Sequence, residues 1–131
     1  MIADPKNPRI VAHLETNEQG EPVVVEKGGH RHYKVRFEVA DAPSDAYAAT
    51  FELHPTTYYD PVRSVFPSRD GKLQLATTTY GDYDLTVRLQ TKEGELRLAD
   101  SVVNALDRGM KASSLSPTAG IERALVDIKS N

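Results

Sequence analysis

Apolar and polar residues alternate with period two along much of the chain. Tyr33, Val35, Phe37 and Val39 fall on one phase, with Lys34, Arg36 and Glu38 on the other. That is the pattern of a strand with one face buried. Tyr47, Ala49, Phe51 and Leu53 repeat it against Ala48, Thr50 and Glu52, and Tyr83, Leu85, Val87 and Leu89 against Asp84, Thr86, Arg88 and Gln90. Strands apolar on one face only favour antiparallel sheets. Shorter candidates fill the gaps: Ile10, Ala12 and Leu14 alternating with Val11 and His13, the β-branched run Val23–Val25, and Val62–Phe66, Leu73–Leu75 and Leu96–Leu98. Turn signals separate them at Asn17–Gly20, at Asp70-Gly71 as a hairpin turn, and at Lys92–Glu95 around Gly94. About eight short strands at this spacing predict an all-β sandwich. No helical stretch separates the central strands, so a βαβ arrangement is excluded.

The pattern changes after residue 99. Asp100 or Ser101 caps a helix with apolar positions Val102, Val103, Ala105 and Leu106, and Gly109 is a natural stop. Lys111–Leu115 reads as a linker. Ser116-Pro117 then supplies an N-cap and a first helical position. Ile121, Ala124, Leu125 and Ile128 form one stripe at helical spacing. The division is a β-sandwich over residues 1–99, its strands starting near residue 8, and a helical tail over 100–131. A helix this short is not stable alone. It must dock on the sandwich, on a second copy or on a partner, so self-association through this helix is one expectation.

Composition narrows the function classes. The chain has 131 residues, 39% of them hydrophobic, which is enough for one core. It has no cysteine, so disulfide scaffolds, thiolate metal sites and cysteine nucleophiles are excluded. Sixteen Lys and Arg against nineteen Asp and Glu give a net charge of −3, which does not suit phosphate neutralisation; no nucleic-acid partner is expected. No run approaches the ~20 apolar residues of a membrane span, and the N-terminus lacks an apolar signal region. The chain reads as soluble and cytoplasmic, with no membrane partner.

Candidate chemistry is sparse. His30 and His32 stand at H-x-H spacing, which puts both rings on one face of an extended segment. A metal site needs three or four converging ligands, and no second motif supplies them, so neither metal nor cofactor is expected. No serine sits in a G-x-S-x-G elbow and no phosphate-binding glycine motif occurs. Gly28-Gly29 precedes a strand and reads as a turn. No catalytic residues are assigned. Two loop segments stand out instead. His54-Pro55-Thr56-Thr57-Tyr58-Tyr59-Asp60-Pro61 follows one strand, and Thr78-Thr79-Tyr80-Gly81-Asp82-Tyr83 precedes another. Of six Tyr and three Phe, Tyr33, Phe37, Tyr47, Phe51, Phe66, Tyr83 and Tyr59 fit strand positions. Tyr58 and Tyr80 are left over, one in each loop. In a sandwich such loops gather at one end, where they bind ligands.

These segments, in this order and strand context, resemble the YEATS domain, with the closest similarity to its prokaryotic branch. One family signature is a strand ending in Leu-His followed by Ser/Thr-aromatic and a proline; here it is Leu53-His54-Pro55-Thr56-Thr57-Tyr58 with Pro61. The other, Gly-Trp/Tyr-Gly-Glu-Phe before a long strand, reads Thr79-Tyr80-Gly81-Asp82-Tyr83. The resemblance covers roughly residues 30–91 and implies an immunoglobulin-like antiparallel sandwich of about seven to eight strands. It also implies a reader of acylated lysine, in which two aromatics sandwich the flat acyl amide. On this chain the pair would be Tyr58 and Tyr80, the hydroxyl would come from Thr57 or Thr56, the backbone donor would lie near Tyr80 or Gly81, and His54 would brace the loop. The expected ligand-binding set is His54, Thr56, Thr57, Tyr58, Thr79, Tyr80, Gly81 and Asp82. Thr79 stands where the family usually has Gly, and Gly29 and His30 stand where some readers carry a third aromatic.

Two readings follow. The first is a non-enzymatic module whose loop-end pocket takes an acylated lysine or similar flat ligand on a protein partner. The second is an interaction or assembly domain of a prokaryotic signalling or effector system, using the C-terminal helix and no small-ligand pocket.

Overall fold

The computed structural model describes residues 7–55, 58, 60–112 and 118–131. Eight strands come first: β1 (Arg9–Leu14), β2 (Val24–Lys27), β3 (His30–Ala40), β4 (Ala46–Glu52), β5 (Val62–Val65), β6 (Gln74–Thr79), β7 (Asp84–Thr91) and β8 (Gly94–Ser101). Two helices follow, α1 (Val102–Ala112) and α2 (Ala119–Ser130). All strand pairs are antiparallel. In one sheet Val35 of β3 pairs with Leu14 of β1 and with Thr77 of β6, while Tyr33 pairs with Val24 of β2 and with Thr79 of β6. So β1 and β2 lie end to end along one edge of β3, and β6 takes the other. The second sheet runs β5-β4-β7-β8. The two sheets face each other through Val35, Phe37, Phe51, Leu85, Val87 and Leu89, all without solvent exposure. Each such side chain contributes roughly 1.5–3 kcal/mol by leaving water. The architecture is an immunoglobulin-like β-sandwich.

Local chemistry explains where the elements depart from simple alternation. Tyr47 was expected inside and is 54% exposed. The β4–β7 register shifts between Ala46 and Ala48, so Ala48 and Ala49 are both buried and Tyr47 turns outward, as a bulge dictates. Phe66 lies beyond the end of β5 and is 73% exposed. Tyr83 lies just before β7 rather than in it. β6 extends to Thr79 although apolar alternation stops at Leu75, because its three threonines are β-branched and suit a pleated ladder. Asp70-Gly71 is a tight turn, with Gly71 at φ +80°. It is not a β-hairpin, because β5 and β6 belong to different sheets. Gly28-Gly29, at φ +60° and +80°, is a two-residue hairpin turn closing Lys27 against His30, and Lys92-Glu93 is another, closing Thr91 against Gly94.

The helices complete the core. Ser101 caps α1 by accepting the Asn104 N–H at 3.1 Å. Gly109 does not stop this helix; it lies inside it, buried against the Ala12 carbonyl, where a Cβ would collide. The Glu15 N–H faces β3 through Lys34 O, so Ile10 and Ala12 turn their carbonyls to the free edge of β1. α1 covers that edge, and Arg108 Nη1 donates to Ile10 O at 3.0 Å. Thr118 caps α2 by accepting the Ile121 N–H at 3.2 Å; the expected cap at Ser116-Pro117 lies outside the described residues. Ala124 and Ile128 of α2 are fully buried in the same cluster as the strands, while Val126 on the opposite face is 62% exposed. Among the described residues no helix is long and apolar enough to cross a membrane.

Candidate functional site

One end of the sandwich gathers His54 from the segment after β4, the β6–β7 loop, the β2–β3 turn and the last turn of α2. The β6–β7 loop is tight from its first residue. Thr79 is buried, and its Oγ1 donates to Gly81 O at 2.8 Å, closing a local turn. That turn leaves Tyr80 projecting. Its ring stacks on His30 at 4.8 Å between centroids and 25° between planes, with His32 tilted at 5.2 Å. The shared face of the H-x-H pair is thus spent on Tyr80. Asp82 Oδ1 accepts the Val103 N–H at 3.0 Å, so this carboxylate satisfies an orphan donor in the first turn of α1.

Tyr83 and Tyr58 form a second aromatic group at this end. Tyr83 meets His54 edge-on at 5.9 Å and Tyr58 at 5.7 Å. Tyr58 donates its hydroxyl to Thr78 O at 2.6 Å, so the 3.0 Å contact between the two phenols must have Tyr83 as donor. The relay runs from Tyr83 through Tyr58 to the β6 backbone. Burial raises both phenol pKa values, and for Tyr83 the neighbouring Tyr58 raises it further. Both rings are neutral at neutral pH. The Arg63 guanidinium stands 5.9 Å over the Tyr58 ring, at the outer limit of a cation–π contact.

A cleft of about 90 Å³ at this end is lined by His54, Thr79, Tyr80, Gly81, Asp82, Tyr83 and Asn131. A second, more open cleft of about 280 Å³ is lined by Gly29, His30, Arg31, Tyr80, Asp127 and Asn131. Five of the expected ligand-binding residues, His54, Thr79, Tyr80, Gly81 and Asp82, line the first cleft together. Thr56 and Thr57 lie outside the described residues. Among the described residues Tyr58 does not line this cleft; its hydroxyl bonds Thr78 O and the Tyr83 phenol, so it supports Tyr83, which does line it. Sequence reasoning missed Tyr83 as a wall because its alternation phase assigned it to a strand, although it belongs to the same signature segment as Tyr80. It missed Asn131 altogether, since no motif marks a residue brought in by helix docking.

The sequence matches no family model and no curated protein. The fold is similar to the solved structure of the Yaf9 YEATS domain recognising the H3K122suc peptide. The TM-score is 0.51 and the identity 18%, over 92% of this chain and 93% of that one. The chain therefore shares its fold with a YEATS domain.

Proposed function

We propose that this chain is a non-enzymatic reader module. Its loop-end cleft takes an acylated lysine, or a similarly flat uncharged group, on a protein partner. The observation that carries this reading is the first cleft itself: Tyr80 and Tyr83 both line it, together with His54, Thr79 and Gly81. A flat amide suits such walls, because aromatic faces reward planar groups and exclude water around them. The neighbour of known structure recognises a modified histone peptide, which supports a peptide partner for the shared fold. The assembly reading has less behind it, because the α2 stripe that motivates it is occupied by this chain's own core at Ala124 and Ile128. The experiment is a titration of acyl-lysine peptides against wild type and Tyr80→Ala. Loss of one aromatic wall should weaken binding about tenfold, equivalent to ~1.4 kcal/mol. Equal binding by both proteins, or no binding by wild type across the peptide panel, would rule the reading out.

A further inference from the structure

Resting on that reading, we propose that the last turn of α2 sets the size of the acyl group admitted. The two clefts share two lining residues, Tyr80 and Asn131. These two form the partition between them. Tyr80 comes from the β6–β7 loop and is braced by His30. Asn131 comes from the end of α2, and its backbone lies against Gly81. A Cβ added at Gly81 would stand 2.9 Å from Asn131 O and 3.1 Å from Asn131 Cβ, so only glycine permits this seat.

The partition is held from inside the helix. The Asn131 side-chain amide donates to Asp127 O at 2.8 Å. The Asp127 carboxylate accepts the Tyr33 hydroxyl at 2.5 Å, tying this turn to β3. Ile128, between them, is fully buried. The first cleft, at about 90 Å³, is well under the ~300–1,000 Å³ of pockets that hold drug-sized ligands. It suits a short acyl group such as acetyl. A longer straight chain meets Asn131, and packed walls yield little to extra methylenes. With Asn131 gone, the first cleft opens into the second, and the longer chain has somewhere to go.

The test titrates lysine peptides carrying straight-chain acyl groups of increasing length against three proteins: wild type, full-length Tyr33→Phe, and a chain shortened to end at Ile128 whose fold is checked by circular dichroism. Wild type should prefer acetyl over the longest acyl by about tenfold, a discrimination within reach of a shape-selective pocket. The shortened chain should lose most of that preference by gaining affinity for the long acyl. Tyr33→Phe should move the same way by a smaller factor. An unchanged preference, or a uniform loss of affinity at every length, overturns the size role while leaving the reader function standing. Failure of wild type to bind any member of the series removes both.

Discussion

α1 and α2 reach the sandwich by different means. α1 approaches the free edge of β1 backbone to backbone, with Gly109 against the Ala12 carbonyl and Arg108 bonded to Ile10 O. Both helices bury side chains in the core, Val102, Ala105 and Leu106 from α1 and Ala124 and Ile128 from α2, but α2 fastens its two ends by polar contacts, Thr118 Oγ1 to Gly20 O at 3.3 Å and Asp127 to Tyr33. The first arrangement seals an edge strand that would otherwise offer unpaired carbonyls for pairing with another chain. The second leaves clefts beside its last turn. A helix that docks by close backbone approach adds stability and covers an edge. A helix tethered at its ends adds stability and also shapes what lies there.

Removing the buried Ile128 side chain is the hardest blow to this contrast. Ile128→Ala should cost about 3 kcal/mol, the usual range for deleting that much of a fully buried side chain. A thermal melt should show a fall in Tm of roughly 10 °C. A loss below ~1 kcal/mol would mean that the site collapses around the deletion and that α2 is held mainly by its tethers. Gly109→Ala tests the other helix. Alanine should gain about 1 kcal/mol of helix propensity at this position. The added methyl meets the Ala12 backbone, which cannot swing aside as a side chain can, and overpacking of this kind costs roughly 1–3 kcal/mol. The net should be a destabilisation of up to about 2 kcal/mol with peptide binding unchanged. A stabilised Gly109→Ala protein would show that α1 can back away from β1 at little cost.

The same contrast explains what could be read from the sequence. The strands around Tyr33–Val39, Phe51–Leu53 and Leu85–Leu89 were legible because one buried face imposes period two. Tyr47 was misread because a bulge is a register event between two strands and leaves no mark in either one. Gly109 looked like a helix stop because glycine usually ends helices, whereas here its use depends on a carbonyl nearly a hundred residues earlier in the chain. The cleft was legible as far as its signature segment reached, at His54 and Thr79–Asp82. That Tyr83 lines the cleft while the Tyr58 hydroxyl is held by the β6 backbone was hidden, since it depends on which phenol reaches the Thr78 carbonyl. Asp82 lines the cleft, yet its carboxylate also serves the first turn of α1, a partner that only the folded chain brings near.

The two helix junctions should also differ in pH response, and the loop end carries the larger effect. Partial burial raises the pKa values of Tyr83 and Tyr58, and Tyr33 is raised first by burial and then by its hydrogen bond to Asp127. A group whose folded pKa lies above its unfolded value of ~10 adds stability that is complete below that pH and is lost as pH rises through the folded values. Stability should therefore fall from about pH 10 upward. Tyr83→Phe should lose about 1 kcal/mol at pH 7, one neutral hydrogen bond, and then decline less steeply than wild type at alkaline pH. Chemical denaturation at pH 7 and pH 11 measures both; parallel losses in the two proteins would place the alkaline sensitivity elsewhere.

The α1 junction should respond at the acid side, and weakly. Burial alone would raise the Asp100 pKa, but hydrogen bonds from Asn104, Arg108 and the Ser101 N–H outweigh it and hold the carboxyl below its ordinary value. A depressed folded pKa contributes stability that is present above the unfolded value of ~3.9 and lost as pH falls through the folded one. Arg108, the ionic partner, keeps about a third of its side chain in solvent, 36% by exposure, so the pair is worth only about 0.5 kcal/mol. Asp100→Asn should cost that amount at pH 7, and the cost should shrink as pH falls below ~3.9 through the lowered wild-type pKa. The same Asn should leave the alkaline decline untouched, because the phenols responsible sit at the loop end and α1 does not hold them. If Asp100→Asn instead flattened the alkaline limb, the two junctions would be coupled through Asp82, whose carboxylate reaches from the cleft to the first turn of α1.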